Sequence, residues 1–187
     1  MASEAYPTFL AGQRITASLL RSAQPMVARK TSDTPRIATT TTTADPHLQF
    51  DVAAGAVYVM DGIIKYDGPA AADFNVDWTI PTGTLGEWYG WGVGHSPVIS
   101  WNSSTTLVTD SQQARGYPIR VECNDISQPR SYGCLGLSLT PLTLQVWGTI
   151  RVGATAGTYA LEWAQLASDA GAVTVYTDSW IRLQRVA

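Results

Sequence analysis

The stretch FNVDWTI, residues 74–80, alternates apolar and polar side chains at every position. Phe74, Val76, Trp78 and Ile80 would share one face, and the polar side chains between them would share the other. A period of two is typical of a strand that buries one face and wets the other. This stretch therefore predicts a half-buried β-strand.

The same alternation recurs later in the chain, and turn residues separate the strand patterns. Asp67-Gly68-Pro69 precedes the stretch 74–80, and Pro81-Thr82-Gly83 follows it. No helical pattern intervenes to supply parallel crossovers, so the body is predicted to be all-β, an antiparallel β-sandwich that is jelly-roll-like. The further strand patterns run over residues 142–152, 159–163 and 181–183.

Residues 56–66 differ because they are apolar on both faces. Val57, Val59 and Ile63 fall on one side, while Met60 and Ile64 are among those on the other. Such a strand is either central in its sheet or buried against another subunit.

The chain changes character near residue 45. Residues 1–45 are predicted to form an N-terminal anchoring arm and residues 46–187 the β-sandwich body. A short helix is expected over about 15–24, because Ile15, Leu19, Ala23 and Val27 recur at helical spacing and Pro25 limits the regular helix. The threonine-rich segment 37–43 favours extended backbone and is either an edge strand or a linker.

The charge composition argues against a nucleic-acid-binding protein. Charged residues make up only 14% of the 187 residues, the net charge is -3 and the pI is near 5.2. This balance argues against nucleic-acid binding, which needs clustered basic residues. The basic residues that do cluster could grip an acidic protein surface or form a solvated helix face; they are Arg21, Arg29, Lys30 and Arg36.

Seven tryptophans exceed the need of one sandwich core. Since Trp and Tyr are enriched at interfaces, a cyclic homo-oligomer such as a trimer is expected. No secretory signal and no apolar run of about 18 residues is present, so synthesis in the host cytoplasm is expected, with no membrane partner.

Cys123 and Cys134 could face each other at the base of a loop. Two alternatives have equal weight. Both cysteines would stay free thiols in a reducing cytoplasm, whereas they could form a disulfide once a particle is released.

No set of residues predicts catalysis, a cofactor or a metal. His95 precedes Ser96, but adjacent residues do not form a nucleophile and base pair. Zinc would need ligand pairs at close spacing, which the scattered Cys and His residues lack. Gly90-Trp91-Gly92-Val93-Gly94 fails the spacing of a nucleotide-binding loop. Asp73 and Asp77 are expected to be solvated acids on one strand.

An aromatic cluster is the one constellation that suggests a binding function. Trp88, Tyr89, Trp91 and Trp101 lie among glycines and polar residues, and could stack on sugar rings. The alternative is that these rings fill the core or a subunit seam, which is the ordinary role of aromatic residues beside strands.

The sequence resembles small virion structural proteins of tailed phages and prophages of actinobacteria. The resemblance is carried by residues 9–20 (FLAGQRITASLL), 24–31 (QPMVARKT), 45–48 (DPHL), 78–81 (WTIP) and 160–165 (ALEWAQ). It covers nearly the whole chain and implies a minor tail, fibre or head-decoration component. It supplies no catalytic residues.

The expected function is therefore that of a non-enzymatic structural component of a phage virion. Its arm would anchor on other capsid or tail proteins, and its self-associating sandwich would project outward. A receptor-binding module that recognises cell-surface carbohydrate is the alternative. A hydrolase is a weaker rival. The expected anchoring residues are Ile15, Leu19, Arg21, Val27, Arg29 and Lys30.

Overall fold

The computed structural model describes residues 10–94, 98–101, 104–107, 119–120, 123–136 and 140–187. Antiparallel strands form two main sheets, and their apolar faces enclose one core. The all-β sandwich predicted from the alternating patterns is confirmed.

Fifteen strands and one helix lie in the described residues. The helix is α1 (Ala17–Ser22). The strands are β1 (Met26–Arg29), β2 (Thr34–Arg36), β3 (Thr43–Val52), β4 (Val57–Asp67), β5 (Phe74–Thr79), β6 (Leu85–Val93), β7 (Val98–Trp101), β8 (Ser104–Leu107), β9 (Ile119–Arg120), β10 (Asn124–Asp125), β11 (Arg130–Tyr132), β12 (Leu142–Arg151), β13 (Gly157–Gln165), β14 (Val173–Val175) and β15 (Trp180–Arg185).

The strand order is that of a jelly roll. The smaller sheet runs β11-β5-β13-β3, and the larger runs β1-β15-β4-β12-β6-β10 with β2, β9 and β14 attached. The chain pairs β3 with β13, β4 with β12, β5 with β11 and β6 with β10, so a long antiparallel ribbon wraps across both sheets. Eight strands in this arrangement define the fold.

Aromatic rings dominate the centre of the core. Trp78 of β5 stacks on Tyr159 of β13 with ring centroids 5.1 Å apart, and meets Trp88 of β6 edge to face at 5.4 Å. All three side chains are almost completely buried. Pairs of this geometry stabilise a core beyond the apolar area they bury, and here they join the two sheets.

Residues 56–66 were expected to form a strand that is either central in its sheet or buried against another subunit, and the structure places this strand centrally. β4 lies between β12 and β15 in the larger sheet. Tyr58, Met60, Ile64 and Tyr66 face the core, while Val59 on the opposite face is 42% exposed.

The N-terminal helix is shorter than predicted, and the helix expected over about 15–24 is not borne out. Helical structure is confined to Ala17–Ser22, and the Thr16 hydroxyl accepts a hydrogen bond from the Leu19 amide at its start. From Met26 the backbone is extended because β1 pairs with β15, which ends the helical stretch before the apolar stripe is complete. Val27, predicted on that stripe, lies instead in a strand.

Two strands within residues 26–36 belong to the larger sheet. β1 pairs with β15, and β2 pairs with β14. Over this stretch the segment expected as an arm is a part of the body. Of the threonine-rich segment 37–43, only Thr43 is in a strand.

A buried ion pair attaches this segment to the smaller sheet. Lys30 Nζ lies 2.7 Å from Asp45 Oδ2, and neither side chain has any solvent exposure. The Asp45 carboxylate also accepts hydrogen bonds from the His47 and Leu48 amides and from Trp163 Nε1. Asp45 lies where β3 shifts register against β13, and this irregularity places its carboxylate in the interior.

Candidate functional site

The outer face of the larger sheet carries the exposed aromatic rings. β6 alternates strictly, so Leu85, Glu87, Tyr89 and Trp91 point away from the core while Trp88 points into it. Leu85 is 62% exposed and Trp91 49%. Large exposed apolar side chains that are grouped on one face mark binding surfaces.

The glycines of the Gly90-Trp91-Gly92 segment lie on the inward face of this strand. A Cβ at Gly90 would lie 2.1 Å from Tyr132 Oη, and one at Gly92 would lie 2.9 Å from the same ring. Because neither glycine has a side chain, the Tyr132 ring can pack against the inward face of β6. These glycines therefore have a packing role and do not form a nucleotide-binding loop.

The predicted aromatic cluster is divided by the fold. Trp88 is completely buried, and its Nε1 donates to the Gln128 carbonyl, so it cannot meet a ligand. Tyr89 and Trp91 are exposed on the outer face. Trp101 belongs to β7, and its side chain lies outside the described part of the structure.

Trp147 joins Tyr89 on the outer face, and sequence reasoning missed it. The register of β12 against β6 places Trp147 opposite Tyr89, and the two rings stack with centroids 5.3 Å apart and planes 21° from parallel. The signal was present in the pattern, because Trp147 has the same parity as the polar positions Gln145 and Thr149.

A groove of about 280 Å³ runs beside this aromatic pair. Its apolar lining comes from Val59, Tyr89 and Trp147, and its polar lining includes Glu87 and Thr149. Thr149 is opposite both Val59 and Glu87 in the sheet, so cross-strand register brings these groups together. Apolar walls with a few placed polar groups are the usual composition of a ligand site.

A second groove of about 270 Å³ continues from the first. It shares Glu87 and Cys123 with it and adds Asn124, Asp125 and Arg151. Hydrogen bonds from the side chain and amide of Ser127 lower the pKa of Asp125. We call the two together the β6 groove.

The cysteines do not meet. Cys123 is exposed and its thiol lies 3.7 Å from Glu87 Oε2, whereas Cys134 is buried. Both are free thiols, so the candidate disulfide is not formed. Burial raises the pKa of Cys134, and the charges of Asp67 and Asp73 add to that shift.

The basic residues expected on an anchoring surface are mostly engaged within the chain. Lys30 is buried with Asp45, and Arg29 forms an exposed ion pair with Asp178. The Arg36 guanidinium lies 4.0 Å above the Trp163 ring and donates to main-chain carbonyls. The predicted grip on an acidic protein surface is therefore wrong for Lys30. The side chain of Arg21 lies outside the described part.

The apolar anchoring residues are on the surface. Ile15 and Val27 are each 61% exposed, and Leu19 is half-buried. Leu10 and Leu20 are also exposed in the same N-terminal region, although the sequence did not single them out.

The two acids considered for chemistry have separate structural roles. Asp73 lies before β5 and its Oδ1 accepts the Cys134 amide, while Asp77 lies on the outer face of the smaller sheet beside Glu162. Burial raises the pKa of Asp77. His95 lies outside the described residues. Within those residues, no three His, Cys, Asp or Glu side chains are grouped to hold a metal.

No helix in the described ranges has the length and apolar character needed to cross a membrane.

Comparisons with known proteins give little. No family model and no curated protein matches the chain. Solved structures that are similar include infectious bursal disease virus of the Gx strain (8% identity, TM-score 0.17), the Gt strain (10%, 0.18) and the VP2 subviral particle of that virus (12%, 0.16). Each match covers 87% of this chain but only 43%, 42% and 42% of the other chain, respectively, so the chain spans less than half the length of these structures. The fold assignment rests on the strand order of the two sheets.

Proposed function

We propose that the protein is a non-enzymatic structural component of a phage virion, either a head-decoration protein or a tail or fibre protein. Its N-terminal segment anchors it to other virion proteins, and its jelly roll self-associates and projects outward. The sequence resemblance supports this proposal. Jelly rolls are also a recurrent architecture of viral capsid proteins, although fold alone does not determine function.

The exposure of the N-terminal segment carries the proposal. Residues 10–24 precede the first strand, and Leu10, Ile15 and Leu20 are 68%, 61% and 51% exposed. A six-residue helix is marginal alone in water, so this segment gains stability by docking its apolar side chains on another molecule. Docking on a neighbouring virion protein would satisfy that requirement.

Attachment to particles tests the anchoring step. We expect a variant that lacks residues 1–24 to keep its fold, because β1 and the Lys30–Asp45 pair remain, and to fail to co-sediment with particles. Ile15→Asp should weaken attachment, whereas Ile37→Asp, at a similarly exposed position outside the segment, serves as the matched control. Full attachment of the truncated protein would refute the anchoring role.

Self-association is tested by light scattering. Charged residues are only 14% of the chain, and a weakly charged surface suits burial against other copies. We expect a mass above 20.1 kDa at micromolar concentration, with a trimer as the specific expectation. A monomer mass would remove this part of the proposal.

A second candidate function, recognition of cell-surface carbohydrate, is favoured by the stacked Tyr89–Trp147 pair. Jelly rolls also serve as lectin domains. Retention of the protein on host cell-wall polysaccharide tests this function. A protein that passes through unretained would count against it.

A further inference from the structure

We propose that the β6 groove binds a neutral oligosaccharide of at least two sugar rings. This inference rests on the second candidate function, carbohydrate recognition, and specifies where and what the protein would bind. The site departs from the aromatic cluster read in the sequence, because it uses Trp147 in place of the buried Trp88.

The first segment of the groove provides a stacking wall. Tyr89 and Trp147 stack on each other with ring planes 21° from parallel, which leaves the outer ring faces for a ligand, and Val59 adds apolar lining from the neighbouring strand. The apolar C–H face of a pyranose ring buries well against such a surface. Because all three residues project from paired strands of a sheet, the wall is rigid and binding costs little ordering.

Polar groups line the remainder of the groove. Glu87 and Thr149 flank the aromatic wall, and Asn124, Asp125 and Arg151 line the second segment. Carboxylates accept hydrogen bonds from sugar hydroxyls, and the guanidinium and amide groups donate to sugar oxygens. Sugar hydroxyls that donate and sugar oxygens that accept therefore both have hydrogen-bond partners along the groove.

Charge selects a neutral ligand. The groove carries two carboxylates, Glu87 and Asp125, against one cation, Arg151. Asp125, like any solvent-exposed aspartate, is ionised at neutral pH, and hydrogen bonds from Ser127 favour the ionised form further. Uronic or sialic acids would meet like charge in this groove, and like-charge contacts oppose binding.

The dimensions indicate more than one ring. Each segment, at about 280 or 270 Å³, is slightly smaller than the roughly 300–1,000 Å³ typical of ligand pockets, so an oligosaccharide would occupy both. The segments share Glu87 and Cys123, so a linear chain can pass from one to the other. One sugar ring would stack on the aromatic wall while the next reaches Asn124 and Arg151.

Titration with defined saccharides tests the proposal. The probes are neutral tetrasaccharides derived from cellulose, mannan and chitin, their monosaccharides, and an oligogalacturonate as the anionic comparison. Calorimetry should detect a neutral tetrasaccharide that binds at least about tenfold more tightly than its monosaccharide, a difference of ~1.4 kcal/mol. The oligogalacturonate should not bind.

Variants locate the site. Trp147→Ala should weaken binding at least about tenfold, as expected for an aromatic anchor, and Glu87→Gln should weaken it while leaving the fold unchanged by circular dichroism. Trp180→Ala is the matched control: this tryptophan lies on β15 of the same sheet but does not line the groove, so binding should stay within about twofold.

The outcomes separate this inference from the function on which it rests. Retention on host polysaccharide that survives Trp147→Ala and Glu87→Gln would overturn the β6 groove and keep carbohydrate recognition. No neutral saccharide binding up to about 10 mM, far beyond a weak millimolar Kd, would overturn the groove. If, in addition, the unmodified protein is not retained on host polysaccharide, both the β6 groove and carbohydrate recognition are refuted.

Discussion

Replacing Lys30 by Met tests the most unusual energetic feature of the fold. The change removes the ammonium that lies 2.7 Å from Asp45 Oδ2 and keeps a side chain of similar length. The buried Asp45 carboxylate would then lose its ammonium partner and keep the hydrogen bonds from the His47 and Leu48 amides and the Trp163 indole.

The expected cost is large for one substitution. Breaking a buried ion pair by removing one partner costs roughly 3–5 kcal/mol. For a chain of 150–250 residues each kcal/mol shifts Tm by roughly 2–4 °C, so Tm should fall by about 6 to 20 °C. Urea unfolding followed by tryptophan fluorescence gives the free energy of unfolding, and calorimetry gives Tm.

Two companion variants sharpen the test. Arg29→Met breaks the neighbouring ion pair with Asp178, whose side chains are 59% and 56% exposed, and should cost at most about 1 kcal/mol. Lys30→Met combined with Asp45→Asn removes the unpaired charge and keeps an acceptor for the amides, so it should be more stable than Lys30→Met alone. A cost below about 1 kcal/mol for Lys30→Met, or no recovery in the double variant, would refute the buried pair.

Three further predictions concern packing and titration. Iodoacetamide should label Cys123 and spare Cys134 in the folded protein, because Cys134 is buried and burial raises its pKa; mass spectrometry that finds native Cys134 modified would contradict this. Gly90→Ala should destabilise by about 1–3 kcal/mol, since its Cβ would lie 2.1 Å from Tyr132 Oη, and an unchanged urea midpoint would show that the strand can shift. Burial raises the folded-state pKa of Asp77 above 3.8, so its stabilising contribution is complete below that pH and is lost as pH rises through the folded pKa. The stability of Asp77→Asn relative to the unmodified protein should therefore increase between pH 3.5 and pH 7, and a constant difference would be the contrary result.

The strand patterns predicted the body well because side-chain parity follows burial directly. Phe74, Val76 and Trp78 face the core, as the alternation of FNVDWTI requires. The same parity would have placed Trp147 on the outer face. The sequence could not show that Trp147 meets Tyr89, since that contact depends on the register between β12 and β6.

The N-terminal region was harder to predict because long-range pairing overrides local pattern there. Val27 continues a helical stripe in the sequence, yet pairing with Arg182 makes it part of a strand. The sequence suggests that Lys30 is a surface cation, but in the structure Lys30 is buried in an ion pair with Asp45. Neither partner lies near enough in sequence for local reasoning to find it.

The aromatic cluster was also only partly predictable from the sequence. Trp88, Tyr89 and Trp91 are close in sequence, and strict alternation sends Trp88 inward and the other two outward. Treating the cluster as one set therefore combined a core residue with surface residues.

Cryo-electron microscopy of purified particles decides whether the protein is a virion component. We expect density for several copies of a jelly roll that projects from the head or tail, with residues 10–24 packed against a neighbouring protein. Particles that lack the protein, or a bound protein whose N-terminal segment contacts nothing, would refute the proposed virion role.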